Sequence, residues 1–343
     1  MPVLIHSSSP GERCAGFLEV GARVNSGGEE SAGKIERALR HVAGRGSVRL
    51  SVASRDGDPV ARLVTQVSPA YNDANGDPLG LIGFFEALDD PDAVNVLFDA
   101  AAEELRSAGC RTVIGPIDGD TWHRYRINAG PFEMPPFLLE PTNPHYYASL
   151  WEGSGFTVLE SYSSKRIAPI SDVTAALSRK FNAARANGYR FEPFDRSDFS
   201  SALERIYALS IVVFKDNFLY SDISFEEFTA LYAGADKLMN DDSVFFAIAP
   251  DGQDAGFLFA YPNRTPSAPH GDALNFKTLG VLPEHRRGGT GGALMYCGYE
   301  SAMRRDIGAA NHCLMREGNP SERLDSGHGE TFRRYFLYQK EIA

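Results

Sequence analysis

The chain has 343 residues, of which 43% are apolar and 23% charged, with a formal net charge of −11. That length exceeds one typical hydrophobic core and predicts two domains. The acidic balance leaves no basic surplus to neutralise nucleic-acid phosphates or an acidic membrane surface, so neither is expected as a partner.

The first 46 residues read as an irregular lead with one or two helices; Ile35, Leu39 and Val42 share a face of the segment from Ala32 to Val42. A hairpin follows, in which residues 48–54 and 60–67 flank the turn Asp56-Gly57. After a polar loop, residues 79–88 form an apolar strand. Asp90 and Pro91 then start a helix as N-cap and first-turn proline, with Val94, Leu97, Phe98, Ala101 and Leu105 as its apolar stripe. A strand spans 111–117. Residues 118–142 form a long insertion rich in aromatics and proline, including Trp122 and Tyr125, and a loop of that length is usually functional or disordered. Its apolar content argues against disorder. Residues 143–151 continue as a helix, Gly155-Phe156 opens a strand, and residues 173–186 read as a helical linker.

The second half repeats the order. A strand (244–249), the turn Asp251-Gly252 and a return strand (255–261) precede a Pro-rich loop, a strand from Asn275 to Val281, a helix ended by Gly308, a strand over 311–315 and a final strand over 331–342. The two Asp-Gly turns lie 195 residues apart, and both halves reach Asn-Pro (Asn143-Pro144, Asn319-Pro320) before an expected helix. This pattern predicts an internal duplication.

The most informative stretch is NFKTLGVLPEHRRGGTGGA, Asn275 to Ala293. A strand ends at Val281, Pro283 turns the chain, and Arg286, Arg287, Gly288, Gly289, Thr290, Gly291 and Gly292 lead into a helix. Backbone N–H groups at such a helix start, approachable because glycine lacks Cβ, suit a phosphate. The glycines do not have dinucleotide-binding spacing, and the Gly-Lys-Ser/Thr of a nucleotide P-loop is absent. The pattern V-x-P-x-x-R-x-x-G-x-G, carried by Val281, Pro283, Arg286, Gly289 and Gly291, resembles the acetyl-CoA motif of the GCN5-related N-acetyltransferase (GNAT) superfamily.

That resemblance implies an α/β fold of two GNAT-like units, each a mixed, mostly antiparallel twisted sheet flanked by helices. The expected domains are a degenerate N-terminal unit over 1–170, the linker 171–188, and a CoA-binding unit over 189–343. The implied activity is transfer of an acetyl group from acetyl-CoA to the amine of a small molecule or peptide. The alternative is an inactive CoA-binding or regulatory module. Residues 286–292 would wrap the pyrophosphate, Asn319 would bind the pantetheine arm, and the backbone at Leu279, Gly280 and Val281 would bind and polarise the thioester. The first half carries Asp89, Asp90 and Asp92 where the loop should be; those carboxylates would repel a pyrophosphate, so one CoA per chain is expected.

Many family members place an acidic tyrosine seven residues after the asparagine, but counting from Asn319 gives Ser326. The usual glutamate base is missing as well. His312 is the residue nearby whose pKa suits a base, and Tyr335 and Tyr338 can offer a phenol. For all three, packing on the sheet is the competing reading. The acceptor is expected in a cleft between the units, lined by Trp122, Tyr125 and Asn275. The four cysteines and eight histidines are scattered without ligand spacing, so no metal is expected. No apolar run approaches the ~18 residues of a membrane span, and no signal peptide is evident, which makes the cytoplasm the simplest setting.

Overall fold

A computed structural model describes residues 2–9, 12, 14–24, 32–73, 75–237, 242–264, 271–319 and 327–342. In chain order its elements are β1 (Val3–Ser8), α1 (Phe17–Val24), α2 (Ala32–Ala43), β2 (Ser47–Arg55), β3 (Asp58–Asn72), β4 (Pro78–Ala87), α3 (Pro91–Ser107), β5 (Thr112–Gly115), β6 (Ile127–Gly130), α4 (Tyr147–Gly153) and β7 (Thr157–Ile167). There follow α5 (Ser171–Ala186), β8 (Arg190–Pro193), α6 (Phe199–Val213), α7 (Phe225–Leu231), β9 (Val244–Ile248), β10 (Asp254–Pro262), β11 (Leu274–Val281), α8 (Thr290–Arg304), β12 (Ala310–Arg316) and β13 (Glu330–Glu341). No described helix is long and apolar enough to cross a membrane.

Two units result. The first comprises residues 1–130, 141–161 and 335–343, the second residues 131–140 and 162–334. In the first, the strand order is β1-β2-β3-β4-β5-β13. All pairs are antiparallel except β4–β5, which is parallel and joined through α3. In the second the order is β8-β9-β10-β11-β12-β7, again antiparallel except for β11–β12, joined through α8. A parallel neighbour needs such a crossover, since a hairpin reverses direction. Each unit is therefore α/β with a mixed, mostly antiparallel sheet.

The sheets depart from the expected boundaries. The sixth strand of the first unit is β13, from the end of the chain, where Tyr338 pairs with Gly115 and Glu341 with Thr112. The sixth strand of the second unit is the 162–167 part of β7, where Ile167 pairs with Ala310. Divisions at 170 and 188 therefore both fall inside the second unit. Nor is α5 a linker: Val173 and Leu177 are buried in one cluster with Leu294 and Met295 of α8. Strand β1, unforeseen in the lead, forms an edge whose residues are mostly partly or fully exposed; its run VLIHSS has three apolar residues followed by three polar ones and so lacks the alternation that marks a strand.

Local signals elsewhere acted as expected. Asp56 and Gly57 take φ of 58° and 89°, the doubly left-handed turn that Asp-Gly favours between strands. All five predicted stripe residues of α3 are buried. They pack into the first core, where Phe98, Trp151 and Phe156 meet with centroids 4.7–5.0 Å apart. In the second core, Phe276 of β11 lies 4.8 Å from Tyr299 of α8, fixing the helix over the motif strand.

Candidate functional site: a diverging strand pair and an uncapped helix start

Strand β11 pairs with β10 along its whole length, but Thr278 opposes Phe259 while Phe276 opposes Ala260. Lys277 is thus an extra residue, a β-bulge, which bends the strand. On the other side β11 pairs with β12 only over Leu274–Phe276. Beyond His312, β12 is irregular too: Leu314 has φ of 59°, and its N–H donates to Ser164 Oγ at 3.0 Å. Residues 277–281 therefore have a partner strand only on the β10 side among the described residues. On the side away from β10, residues 278–280 there have no strand beside them among the described residues, an edge able to bind an extended amide-containing arm.

The strand leads into a 3₁₀ turn, Pro283–Gly288. The turn is pinned at its middle: Arg286 Nε donates to Val281 O at 3.0 Å, and the Tyr189 hydroxyl shares a 2.8 Å hydrogen bond with His285 Nδ1. Gly289 follows with φ of 80°, a conformation costly for residues with a Cβ. The helix then starts at Thr290, three residues earlier than the sequence predicted, so Gly291 and Gly292 form its first turn. No side chain caps it. Its leading N–H groups, at the positive end of the dipole, are thus left for a ligand. Thr290 is fully buried, and its hydroxyl has no partner among the described residues. A Cβ built on Gly291 would meet nothing nearer than 3.7 Å; the protein itself does not require glycine there. The donor set, orphan hydroxyl and open approach fit a pyrophosphate.

Lys180 of α5 was not foreseen. Its aliphatic stem lies over this turn, with Cδ 2.5 Å from where a Cβ on Gly292 would stand. It brings a cation to the loop from a segment read as a linker.

The first unit has the corresponding pieces in a closed state. The register of β3 with β4 shifts between Arg62/Glu86 and Val64/Gly83, and Phe84 has φ of 52°, so β4 bulges as β11 does. Yet the space past its bulge is taken by the chain itself: Ile117 N–H donates to Ile82 O at 2.8 Å, and Phe84 N–H donates to Asp118 Oδ1 at 2.5 Å. The start of α3 is filled as well. Asp90 accepts from Ala93 N–H at 3.1 Å and from Arg55 Nε and Nη2 at 2.7 and 2.8 Å. The Arg55 hydrogen bonds hold the Asp90 carboxyl below its ordinary pKa. An internal carboxylate occupies the position that a phosphate takes at an uncapped helix.

No protein-family model matches the chain. A tandem GNAT protein from the clavulanic acid biosynthesis pathway superposes with a TM-score of 0.53 at 13% identity, over 100% of this chain and 99% of that one. This chain has the GNAT fold. Among curated proteins it is 24% identical over 219 residues to a bacterial ceramide synthase of Caulobacter vibrioides; the match covers 63% of this chain and 56% of that protein, little more than half its length. It is also 22% identical over 323 residues to Protein YghO of Escherichia coli, covering 85% of this chain and 81% of that protein.

Within this GNAT fold the side-chain candidates for catalysis are packed. His312 is 4% exposed; its Nε2 shares a 2.7 Å hydrogen bond with the Tyr299 hydroxyl, and its ring meets Phe276 edge-on. Tyr338 belongs to the first unit, stacks on Trp151 and donates to Glu152 at 3.0 Å. Burial and Glu152 push its phenol well above the ordinary range. Tyr335 is fully buried in the same unit. All three are buried. Asn275 is also fully buried: it donates to Asn263 at 3.2 Å and accepts from Asn311 at 2.8 Å. That network holds the base of the β11–β12 divergence and leaves Asn275 no exposed face for an acceptor.

The aromatic insertion divides between the units. Residues 118–130 go with the first and 131–140 with the second. In the first, Trp122 N–H donates to Asp120 Oδ1 at 2.9 Å, and Arg126 stacks on Tyr125 at 4.1 Å. In the second, Arg333 donates to Met134 O at 2.7 Å and pairs with Glu140 at 3.3 Å, both side chains buried, while the Tyr261 hydroxyl donates to Leu138 O. Asn319 follows β12 in a turn closed by its N–H on Arg316 O at 3.2 Å. Ser326, and the helix expected after Pro320, lie outside the described residues.

Proposed function

We propose that this chain is a CoA-thioester-dependent N-acyltransferase that forms an amide on a primary amine. The observation that carries the reading is the uncapped, glycine-lined start of α8 directly after a strand that has lost its neighbour. The N–H groups of residues 290–292, with Lys180 alongside, bind the pyrophosphate. Arg287 adds charge from the turn, whereas Arg286 is engaged with the Val281 carbonyl. The β12-facing edge of residues 278–280 holds the pantetheine arm, aided by Asn319. An N–H among Leu279, Gly280 and Val281 polarises the thioester carbonyl as charge develops on its oxygen.

The amine nitrogen attacks that carbonyl, the N–C bond forms, and the C–S bond breaks. The nitrogen gives up its proton and the departing thiolate takes one. Residues 277–281 are Lys, Thr, Leu, Gly and Val, so no carboxylate or imidazole on the motif strand receives the proton. The amine enters neutral, and catalysis rests on positioning and carbonyl polarisation. Acetyl is the simplest donor group. Similarity to a protein named as a ceramide synthase adds fatty acyl-CoA donors and long-chain amino-alcohol acceptors to the substrates to be tried, because a ceramide is a long-chain amide. Trp122 and Tyr125 are the aromatic acceptor contacts to test first.

The test is thiol release from acetyl-CoA and long-chain acyl-CoA with a panel of small, peptide and long-chain amines. Amine-dependent release above hydrolysis supports the reading. CoA binding without release by any pair would instead support the inactive CoA-binding module that the missing tyrosine and glutamate suggest. Absence of CoA binding would overturn both.

A further inference from the structure

The first unit gathers a second set of chemistry-bearing side chains, independent of the CoA loop. His41 on α2, and Asp120 and His123 on the segment after β5, place ligand-type atoms within 4.8 Å of one another. His41 Nε2 lies 3.2 Å from Asp120 Oδ2, and His123 Nδ1 lies 2.8 Å from Asp120 Oδ1. The two imidazoles meet with centroids 4.3 Å apart and planes tilted by 40°. Their side chains are 9% and 15% exposed, and that of Asp120 is 1% exposed.

We propose that His41, Asp120 and His123 bind a divalent transition-metal ion of the zinc class. Ligand atoms about 2.0–2.1 Å from a tetrahedral ion stand roughly 3.3 Å apart, the scale of the two nitrogen–oxygen separations already present. Two imidazoles and one carboxylate are a donor set that such ions favour, and three protein ligands leave a further position for water. The cluster is also preformed. Asp120 Oδ1 accepts from the backbone N–H groups of Trp122 and His123 at 2.9 and 3.2 Å, which holds the carboxylate before any ion arrives, as supporting hydrogen bonds do in metal sites. Gln66 borders the site. It is 3% exposed and donates to Val42 O, and its Oε1 has no partner among the described residues. That oxygen lies 3.6 Å from the Cβ position of Gly119, next to Asp120, and is a polar group suited to a metal-bound water.

Arg45 bears directly on this site. Its Nη1 lies 3.4 Å from Asp120 Oδ2, and its side chain is 26% exposed. The guanidinium balances the carboxylate in the ion-free state and competes with a cation for the same oxygen. Removing it should therefore strengthen metal binding, which a purely hydrogen-bonded His–Asp–His clamp does not predict.

The experiment uses the full chain, stripped of metal with chelator, titrated with Zn²⁺ against a chromophoric competitor and with Co²⁺ by visible absorption. The expected result is one ion per chain, with affinity falling at least about 100-fold in His123→Ala and His41→Ala, unchanged in His6→Ala, and rising in Arg45→Ala. Zn²⁺ should raise the melting temperature of the unmodified protein and not of His123→Ala, a comparison that leaves the buried Asp120 unchanged. Equal Zn²⁺ affinity in the unmodified protein, His41→Ala and His123→Ala would overturn the assignment, as would Zn²⁺ that leaves the unmodified protein's melting temperature unchanged or lower.

Discussion

Replacing Gly291 by alanine separates what the fold needs from what a ligand needs. Gly291 is the second residue of α8, and a Cβ there would stand 3.7 Å from Val281 Cγ2 and 3.8 Å from Leu279 Cδ2, both ordinary contacts. Alanine is a better helix former than glycine by up to about 1 kcal/mol, so the melting temperature should hold or rise slightly. A methyl group on the approach to the first-turn amides, however, pushes an anion away from them. Hydrogen bonds to charged groups contribute about 1.5–3 kcal/mol each, so losing one of them weakens CoA binding about 10- to 150-fold. Gly289 is a poorer probe: its φ of 80° means that a side chain strains the loop with or without ligand. Calorimetric titration of CoA into Gly291→Ala, beside a thermal melt, gives both readings. Unchanged affinity in a normally folded variant would refute the placement of the pyrophosphate at this helix start.

Calorimetry should also give one CoA site per chain, since Asp90 and Arg55 fill the start of α3 and residues 117–118 fill the slot beside β4; two equivalent sites would contradict this. Lys180→Ala should weaken CoA binding roughly 3- to 10-fold at low ionic strength, and the gap should narrow with added salt, as screening predicts for an exposed charge. The Asp90–Arg55 pair sets an acid limb. Because Arg55 lowers the folded pKa of Asp90, the pair stabilises the fold above the unfolded carboxylate pKa of about 3.9 and loses that contribution as pH falls through the lower folded value. Denaturation of Arg55→Ala across pH 2–6 should show a stability deficit that shrinks toward the acid end; a constant deficit would mean that the ion pair is not its source.

Much of the site was legible because it is written in one short stretch. The end of β11 at Val281, the Pro283 turn, the glycine run and the helix beyond all lie within Asn275 to Ala293, where periodicity and turn chemistry act between near neighbours. The Asp90 cap and the Asp56-Gly57 turn were readable for the same reason. The bulge at Lys277 was not, since it is defined only by what β10 places opposite.

The sequence by itself thus determined most of the elements, the glycine-rich loop before α8 and the inequality of its two halves. Tertiary structure decided which strand completes which sheet. The backbone hydrogen bonds by which β7 takes β12 and β13 takes β5 as neighbour carry no residue code; only closure over long chain distances selects the pairing. The same holds for Lys180, brought to the loop by the packing of α5 on α8, and for the burial of His312 and Tyr338. His41 and Asp120 stand 79 residues apart, a separation across which no spacing rule can see, and only the folded first unit brings their ligand atoms together.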